Sequence, residues 1–164
     1  MVEREQFVAA MRRAATGVTV VTTDGSAGRF GVTVSAMCSV SVEPPSVLAC
    51  VHGASRVAEA VRRNGCFCVN ILLAPQAFIA DCFAGRIERL RDDRFACAEW
   101  TRLVTGAPAL VDALASFDCW LTNEVAFGSH RILLGTVEAC TGRDGPALVY
   151  SNQGYGAVIP APNA

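Results

Sequence analysis

The 164-residue chain contains no lysine; all 14 of its basic residues are arginine. That absence excludes chemistries built on an amine side chain. A Schiff-base enzyme needs a lysine nucleophile, and a Walker-type phosphate loop needs a lysine beside its glycines. Histidine is nearly absent as well, His52 and His130 being the only two. They stand far apart without the spacing of metal ligands, so no zinc motif is written here. The eight cysteines (Cys38, Cys50, Cys66, Cys68, Cys82, Cys97, Cys119 and Cys140) form no CxxC pair and are scattered through apolar, strand-like segments. Most are expected to be reduced, buried small hydrophobes. No apolar run approaches the ~20 residues of a membrane span. The charged start, residues 1–6, lacks the apolar stretch of a signal peptide, so the expected location is cytoplasmic. A formal net charge of −1 supplies no basic field for nucleic acid or an anionic membrane surface.

What is abundant is apolar. Hydrophobic residues make up 52% of the chain and charged ones 18%, which points to extra apolar surface buried in a subunit interface. The length fits one domain over residues 1–164. A helix is predicted over 3–15, where Phe7, Met11 and Ala14 share a face and Arg4, Arg12 and Arg13 take the solvent side. A β-branched strand follows at 18–23, Asp24-Gly25 offers a hairpin turn, and a second strand spans 30–36. Gly25, Gly28 and Gly31 join strands and do not open a helix, so they make no dinucleotide loop. Polar–apolar alternation at 39–42 breaks at Glu43-Pro44-Pro45 before a buried strand at 47–51. Ser55 caps a helix over 56–63 that Asn64-Gly65 closes. An apolar strand covers 66–73, and Pro75 leads a helix over 76–84. The tract 86–106 is mixed in charge; within it, 86–94 is nearly self-neutral and reads as a solvated loop or helix. Strands at 116–125, 131–140 and 147–150 bring the count to about seven. The strand–helix alternation of a doubly wound nucleotide domain is missing. The spacing predicts a mainly β fold, an antiparallel barrel with a few peripheral helices.

Several short segments, in order, carry the reading further. They are Ala15-Thr16-Gly17-Val18-Thr19-Val20-Val21-Thr22, Gly31-Val32-Thr33-Val34-Ser35-Ala36 and Ser39-Val40-Ser41-Val42-Glu43-Pro44-Pro45. Phe83-Ala84-Gly85, Arg94-Phe95, the stretch around Ala107-Pro108-Ala109-Leu110, Gly128-Ser129-His130 and Leu148-Val149-Tyr150 complete the set. Together, from about Phe7 to Tyr155, they resemble the short-chain flavin reductases of two-component monooxygenase systems. The resemblance implies an FMN-binding split barrel, Greek-key-like, that acts as a homodimer with flavin near the subunit interface. It also implies the reaction: NADH or NADPH reduces FMN or FAD, and the reduced flavin leaves for a partner flavin-dependent monooxygenase. With only arginines available to meet a 2′-phosphate, NADH is favoured over NADPH. FMN and FAD stay open.

The resemblance also marks site residues. Thr33, Val34, Ser35 and Ala36 line the flavin, offering backbone groups and small side chains to its pyrimidine edge, with Ser39 beyond them. Cys50, Val51 and His52 lead to Ser55 and Arg56, where a helix N-terminus and a guanidinium suit a phosphate. Asparagine is common in the family where His52 stands. Phe83, Ala84, Gly85 and Arg86 form a loop close to the flavin, and Tyr155 covers the same pocket. His130 faces the nicotinamide and flavin, although Ser129 replaces the aspartate that usually precedes it. Hydride transfer needs stacked rings more than a protein base, so His130 is read as a positioning or proton-supplying group. A flavin-binding protein without turnover, or a flavoenzyme with a fixed cofactor and its own substrate, stays open at this stage. A cysteine-based redox protein fits least, since no cysteine has an activating neighbour in sequence.

Overall fold

The computed structural model describes residues 1–159. The chain opens with helix α1 (Arg4–Met11) and a short strand β1 (Thr16–Gly17). Strands β2 (Thr19–Thr23) and β3 (Phe30–Val34) pair as one hairpin, and β4 (Met37–Val42) and β5 (Pro45–His52) as another. Then come α2 (Arg56–Asn64), β6 (Cys66–Ile71), α3 (Ala77–Phe83) and the short pair β7 (Trp100–Arg102) and β8 (Pro108–Leu110). The long hairpin β9 (Ala115–Phe127) and β10 (His130–Gly142) precedes β11 (Leu148–Ser151) and β12 (Gly154–Ala157).

The main sheet has seven strands in the order β3-β2-β6-β9-β10-β5-β4, antiparallel throughout. Its edge strands β3 and β4 are separated in sequence by Ser35 and Ala36 alone. So short a link reaches only about 10 Å, and the sheet must curl until its two edges meet. The Cys50 N–H donates to the Ala36 carbonyl at 2.9 Å, tying the link to β5. This closure is what makes the sheet a split barrel. Register shifts at Leu134/Gly135 and Val137/Ala139 bend β10 against β9. A Cβ on Gly135 would lie 2.6 Å from Phe67 Cζ and 2.8 Å from Cys119 Cβ. The barrel therefore closes over Phe67 only because residue 135 has no side chain.

Two cores sit on opposite faces of β2. Val21 points inward with Val47, Val51, Val57, Val61, Phe67 and Leu133. Val18 and Val20 point outward beneath α3, with Leu72, Phe83, Phe95 and Leu148. A strand covered on both faces reads as a continuous β-branched run, which is why 18–23 was so legible. Within β6, Asn70 is the one amide in an otherwise apolar strand interior, and it is fully buried. Its Nδ2 donates to the Val20 carbonyl and Thr22 Oγ1, while its Oδ1 accepts from the Leu110 N–H and Ser116 Oγ. With Thr22, whose hydroxyl donates to the Pro108 carbonyl, this side chain fastens β8 to the barrel.

Three expectations need correction. The first helix ends at Met11 and not at residue 15, because after Arg12, whose amide still bonds Val8, the next two amides bond three residues back, Arg13 to Ala10 and Ala14 to Met11. Phe7 and Met11 are about half exposed and join no core of this chain. Among the described residues the strand count is twelve, not about seven, because β1, β7, β8 and β12 are too short to leave a periodic signal. The tract 86–106 holds two 3₁₀ turns, Glu88–Leu90 and Arg94–Cys97, as well as β7. Its run 86–94 is largely exposed, as expected, while beyond it Phe95 is buried and Trp100 Nε1 donates to the Phe95 carbonyl at 2.9 Å. The third correction concerns the cysteines: only Cys66, Cys68, Cys82 and Cys119 are buried, and Cys38 and Cys140 are exposed on the edge strand β4 and near the end of β10.

Candidate functional site

A cleft of about 540 Å³ opens where the β2–β3 hairpin, the start of α2, the end of α3 and the 91–95 loop converge. Its volume falls within the usual range for small-molecule sites. Local sequence rules shape each wall. Ser55 Oγ accepts from the Val57 N–H at 3.2 Å and caps α2, and Gly65 closes that helix with φ +73°. The helix thus directs its N-terminus, with Arg56, at the cleft. Phe83, Phe95 and Trp100 pack edge to face, with ring centroids 5.1–5.4 Å apart. Phe83 and Phe95 form the aromatic wall. A Cβ on Gly31 would lie 2.5 Å from Phe83 Cε1, so only glycine lets β3 approach this wall. Arg29, Arg56, Arg91 and Arg94 surround the opening against Asp92 and Asp93, leaving it cationic. Arg29 lies 4.4 Å over the Phe95 ring and 3.8 Å from Asp93.

Three of the expected residues, Ser55, Arg56 and Phe83, line this cleft. Thr33 continues the strand from Gly31 and Val32, and its hydroxyl donates to the Ala80 carbonyl of α3 at 2.6 Å, so that proton is already spent. Ala36 and Cys50 meet through their backbones. Ala84 and Gly85 end α3, with Gly85 at φ +76° beneath the Arg94 guanidinium, which donates to the Phe83 carbonyl. Val34 packs against the inner core and Val51 is buried within it, so both have only their backbones free for a ligand. Ser39 is exposed on the edge strand β4.

Other expected residues go elsewhere. Ser35 lines a second groove, of about 260 Å³, with Phe7, Met11 and Tyr150. Arg86 and Tyr155 do not line the cleft. Arg86 Nη1 donates to Asp81 Oδ1 at 2.8 Å and Tyr155 Oη donates to the same oxygen at 2.9 Å. The carboxylate of α3 has captured both, and together they brace β12 against that helix. Sequence reading also missed Arg29, Arg91, Asp92 and Asp93. For Arg91, Asp92 and Asp93 the signal was the charge run 86–94, which looks self-neutral along the chain but turns Arg91 and Arg94 towards the cleft and Arg86 towards Asp81.

His52 and His130, far apart in sequence, are direct cross-strand partners on β5 and β10. Their ring centroids are 5.3 Å apart at an interplanar angle of 72°. Ser129 Oγ lies 2.9 Å from His130 Nδ1, and the Ala54 N–H donates to His52 Nδ1 at 3.2 Å.

Burial, followed by the Asp81 hydrogen bond, pushes the Tyr155 phenol from its ordinary 10 up to about 12. Burial likewise pushes the Cys97 and Cys119 thiols from 9 up to about 12. The folded chain keeps these protons where the unfolded chain sheds them. The stabilisation is complete below about pH 9 and is lost as pH rises towards 12. Thermal melts are expected to show a falling Tm across that window, and Tyr155→Phe should flatten the part above pH 10. A Tm independent of pH between 9 and 12 would contradict the assignment.

A curled antiparallel sheet closed by a two-residue link defines a split-barrel protein, here with a cationic, aromatic-walled cleft at a helix N-terminus. The relatives make the class specific. A family model for the flavin reductase like domain matches residues 11–158. FMN reductase (NADH) RutF 1 of a Methylorubrum extorquens strain is 44% identical over 164 residues, covering 99% of this chain and 81% of that one. BorF, the flavin reductase component of a bacterial two-component tryptophan halogenase, superposes with a TM-score of 0.86 at 31% identity, over 97% of this chain and 100% of that one. The NADH:FAD oxidoreductase SgcE6 of Streptomyces globisporus, solved with NAD and FAD fragments, gives a TM-score of 0.88 at 29% identity, over 98% and 96% of the two chains. The chain belongs to the flavin reductase family. Among the described residues, no helix is long and apolar enough to cross a membrane.

Proposed function

We propose that this chain is an NADH-dependent FMN reductase that releases reduced flavin to a separate flavin-dependent oxygenase. The observation that carries the reading is the cleft itself. A capped helix start with Arg56 suits a terminal phosphate, and the aromatic and glycine-lined walls beside it suit a flat ring. When bound, FMN supplies the hydride-accepting ring, and the protein supplies binding and orientation. In this reading Ser55 and Arg56 hold the phosphate. The backbones of Thr33 to Ala36 and of Cys50 and Val51, with the Phe83–Gly85 turn, hold the ring. His130 orients the nicotinamide and holds a proton at its imidazole. Arg86 and Tyr155 act at one remove, by fixing α3. The RutF relative named as an FMN reductase with NADH favours FMN and NADH over FAD and NADPH. All eight cysteines are free thiols, which fits a reducing cytoplasm.

The deciding experiment is anaerobic oxidation of NADH and NADPH with added FMN and then FAD, followed by flavin bleaching. Enzyme-dependent bleaching that saturates in free FMN with NADH is expected. Flavin binding without turnover in any of the four pairs would sink the reductase and leave a flavin-binding protein.

We also propose that the working form is a homodimer. Val40 and Val42 on the edge strand β4, and Trp120, Val125 and Phe127 on β9, are exposed, Phe127 at 79% and Val42 at 85%. That much apolar surface calls for a partner. Light scattering is expected to give twice the 17.3 kDa of one chain. A monomer at micromolar concentration would refute it.

A further inference from the structure

We propose that His52 is a positioning residue for His130, so that the two histidines work as one unit at the end of the β9–β10 hairpin. The inference rests on the reading of His130 as the group that faces the nicotinamide, and its test separates the two.

His130 begins β10 directly after the Gly128-Ser129 turn and is exposed to solvent. An exposed imidazole on a hairpin samples several rotamers within nanoseconds. Holding it in one direction takes contacts from two sides. The structure provides two: Ser129 Oγ at 2.9 Å from Nδ1, and the His52 ring at 5.3 Å, nearly perpendicular. Cross-strand pairs at such spacing interact, and an edge-to-face arrangement is the favoured one for rings.

His52 can serve as a support because it is itself held. The Ala54 N–H donates to its Nδ1, which leaves the proton of the neutral ring on Nε2. The Ser55 N–H donates to the His52 carbonyl at 2.9 Å, closing the turn, and the Gly53 N–H donates to the Ser129 carbonyl at 2.8 Å. That last bond fastens the two turns to each other.

The division of labour follows from chemistry. A serine hydroxyl can donate or accept, so Ser129 does not select a tautomer of His130 as a carboxylate would. His130 Nε2 is therefore free to present a proton or a lone pair. What remains to be set is the plane of the ring, and His52 is the group in contact with it. The same turn runs on through Ser55 into Arg56, which links the histidine pair to the wall of the cleft.

The test uses the full chain with its two histidines isotopically labelled, so that each imidazole is resolved. Three-bond couplings across the His130 χ1 bond are expected to report one rotamer in the native protein and an average in His52→Ala. His52→Ala is expected to lower kcat/KM for NADH about tenfold, because small misplacements of a reacting geometry carry penalties of that order. His52→Phe, which keeps an aromatic edge, should restore most of the rate. In a His130→Ala background His52→Ala should cost nothing further. Unchanged His130 couplings, or losses that simply multiply, would overturn the proposal. Full activity of His130→Ala would instead overturn the role of His130, while the couplings would still decide whether His52 sets its ring.

Discussion

Arg56→Ala is expected to raise the KM for FMN about ten- to a hundredfold while leaving the KM for riboflavin, which lacks the phosphate, unchanged. The estimate comes from the ~1.5–3 kcal/mol of a hydrogen bond to a charged group, at roughly a factor of ten per 1.4 kcal/mol. Arg56 stands at the first position of α2, where the helix dipole and its guanidinium act on the same anion. The guanidinium fork should matter beyond its charge, so replacement by lysine would recover only part of the loss. Flavin titrations at saturating NADH read the effect. An equal loss with riboflavin would place Arg56 against the ring or the nicotinamide and remove the phosphate from the start of α2. The remaining arginines of the opening, Arg29, Arg91 and Arg94, would then become the phosphate candidates.

The largest stability effect is expected at Asn70. Asn70→Ala should cost about 3–5 kcal/mol, because it strands several polar groups in a dry interior at ~1–3 kcal/mol each. Leu110 N–H and Ser116 Oγ lose their acceptor, and the Val20 carbonyl loses a donor. All three residues are buried. For a chain of this size that loss corresponds to a Tm lower by roughly 10 °C. Asn70→Asp keeps the acceptor side of the network but not the donor side, and buries a charge, so it is expected to be at least as damaging. A calorimetric Tm within 2–3 °C of the native value for Asn70→Ala (on the order of 1 kcal/mol) would mean that the network contributes little.

The local elements were legible wherever one residue type decides a backbone state. Ser55 and Gly65 bracket α2 as their chemistry requires, and the β-branched run at 18–23 became β2. Part of the cleft could be read the same way, since Ser55, Arg56 and Phe83 lie on elements with clear boundaries. The rest could not. Arg86 and Tyr155 resembled ligand residues, yet Asp81 took both, and for Tyr155 that partner stands 74 positions away, where nothing along the chain announces it. The run 86–94 concealed its role because charge summed along a sequence says nothing about which side chains share a direction.

The mainly β character, the caps and turns, the absence of lysine-dependent chemistry and the ordered segments that mark a flavin reductase were all written in the chain. Each of these can be read along the chain without knowing which distant residues meet. Folding in three dimensions added the rest: a two-residue link between β3 and β4 forces the sheet to close, and Gly135 must leave room for Phe67. It also set His52 beside His130 and turned four arginines towards one cleft. Those are relations between distant residues, created by strand register and barrel curvature, and no local preference of the chain encodes them.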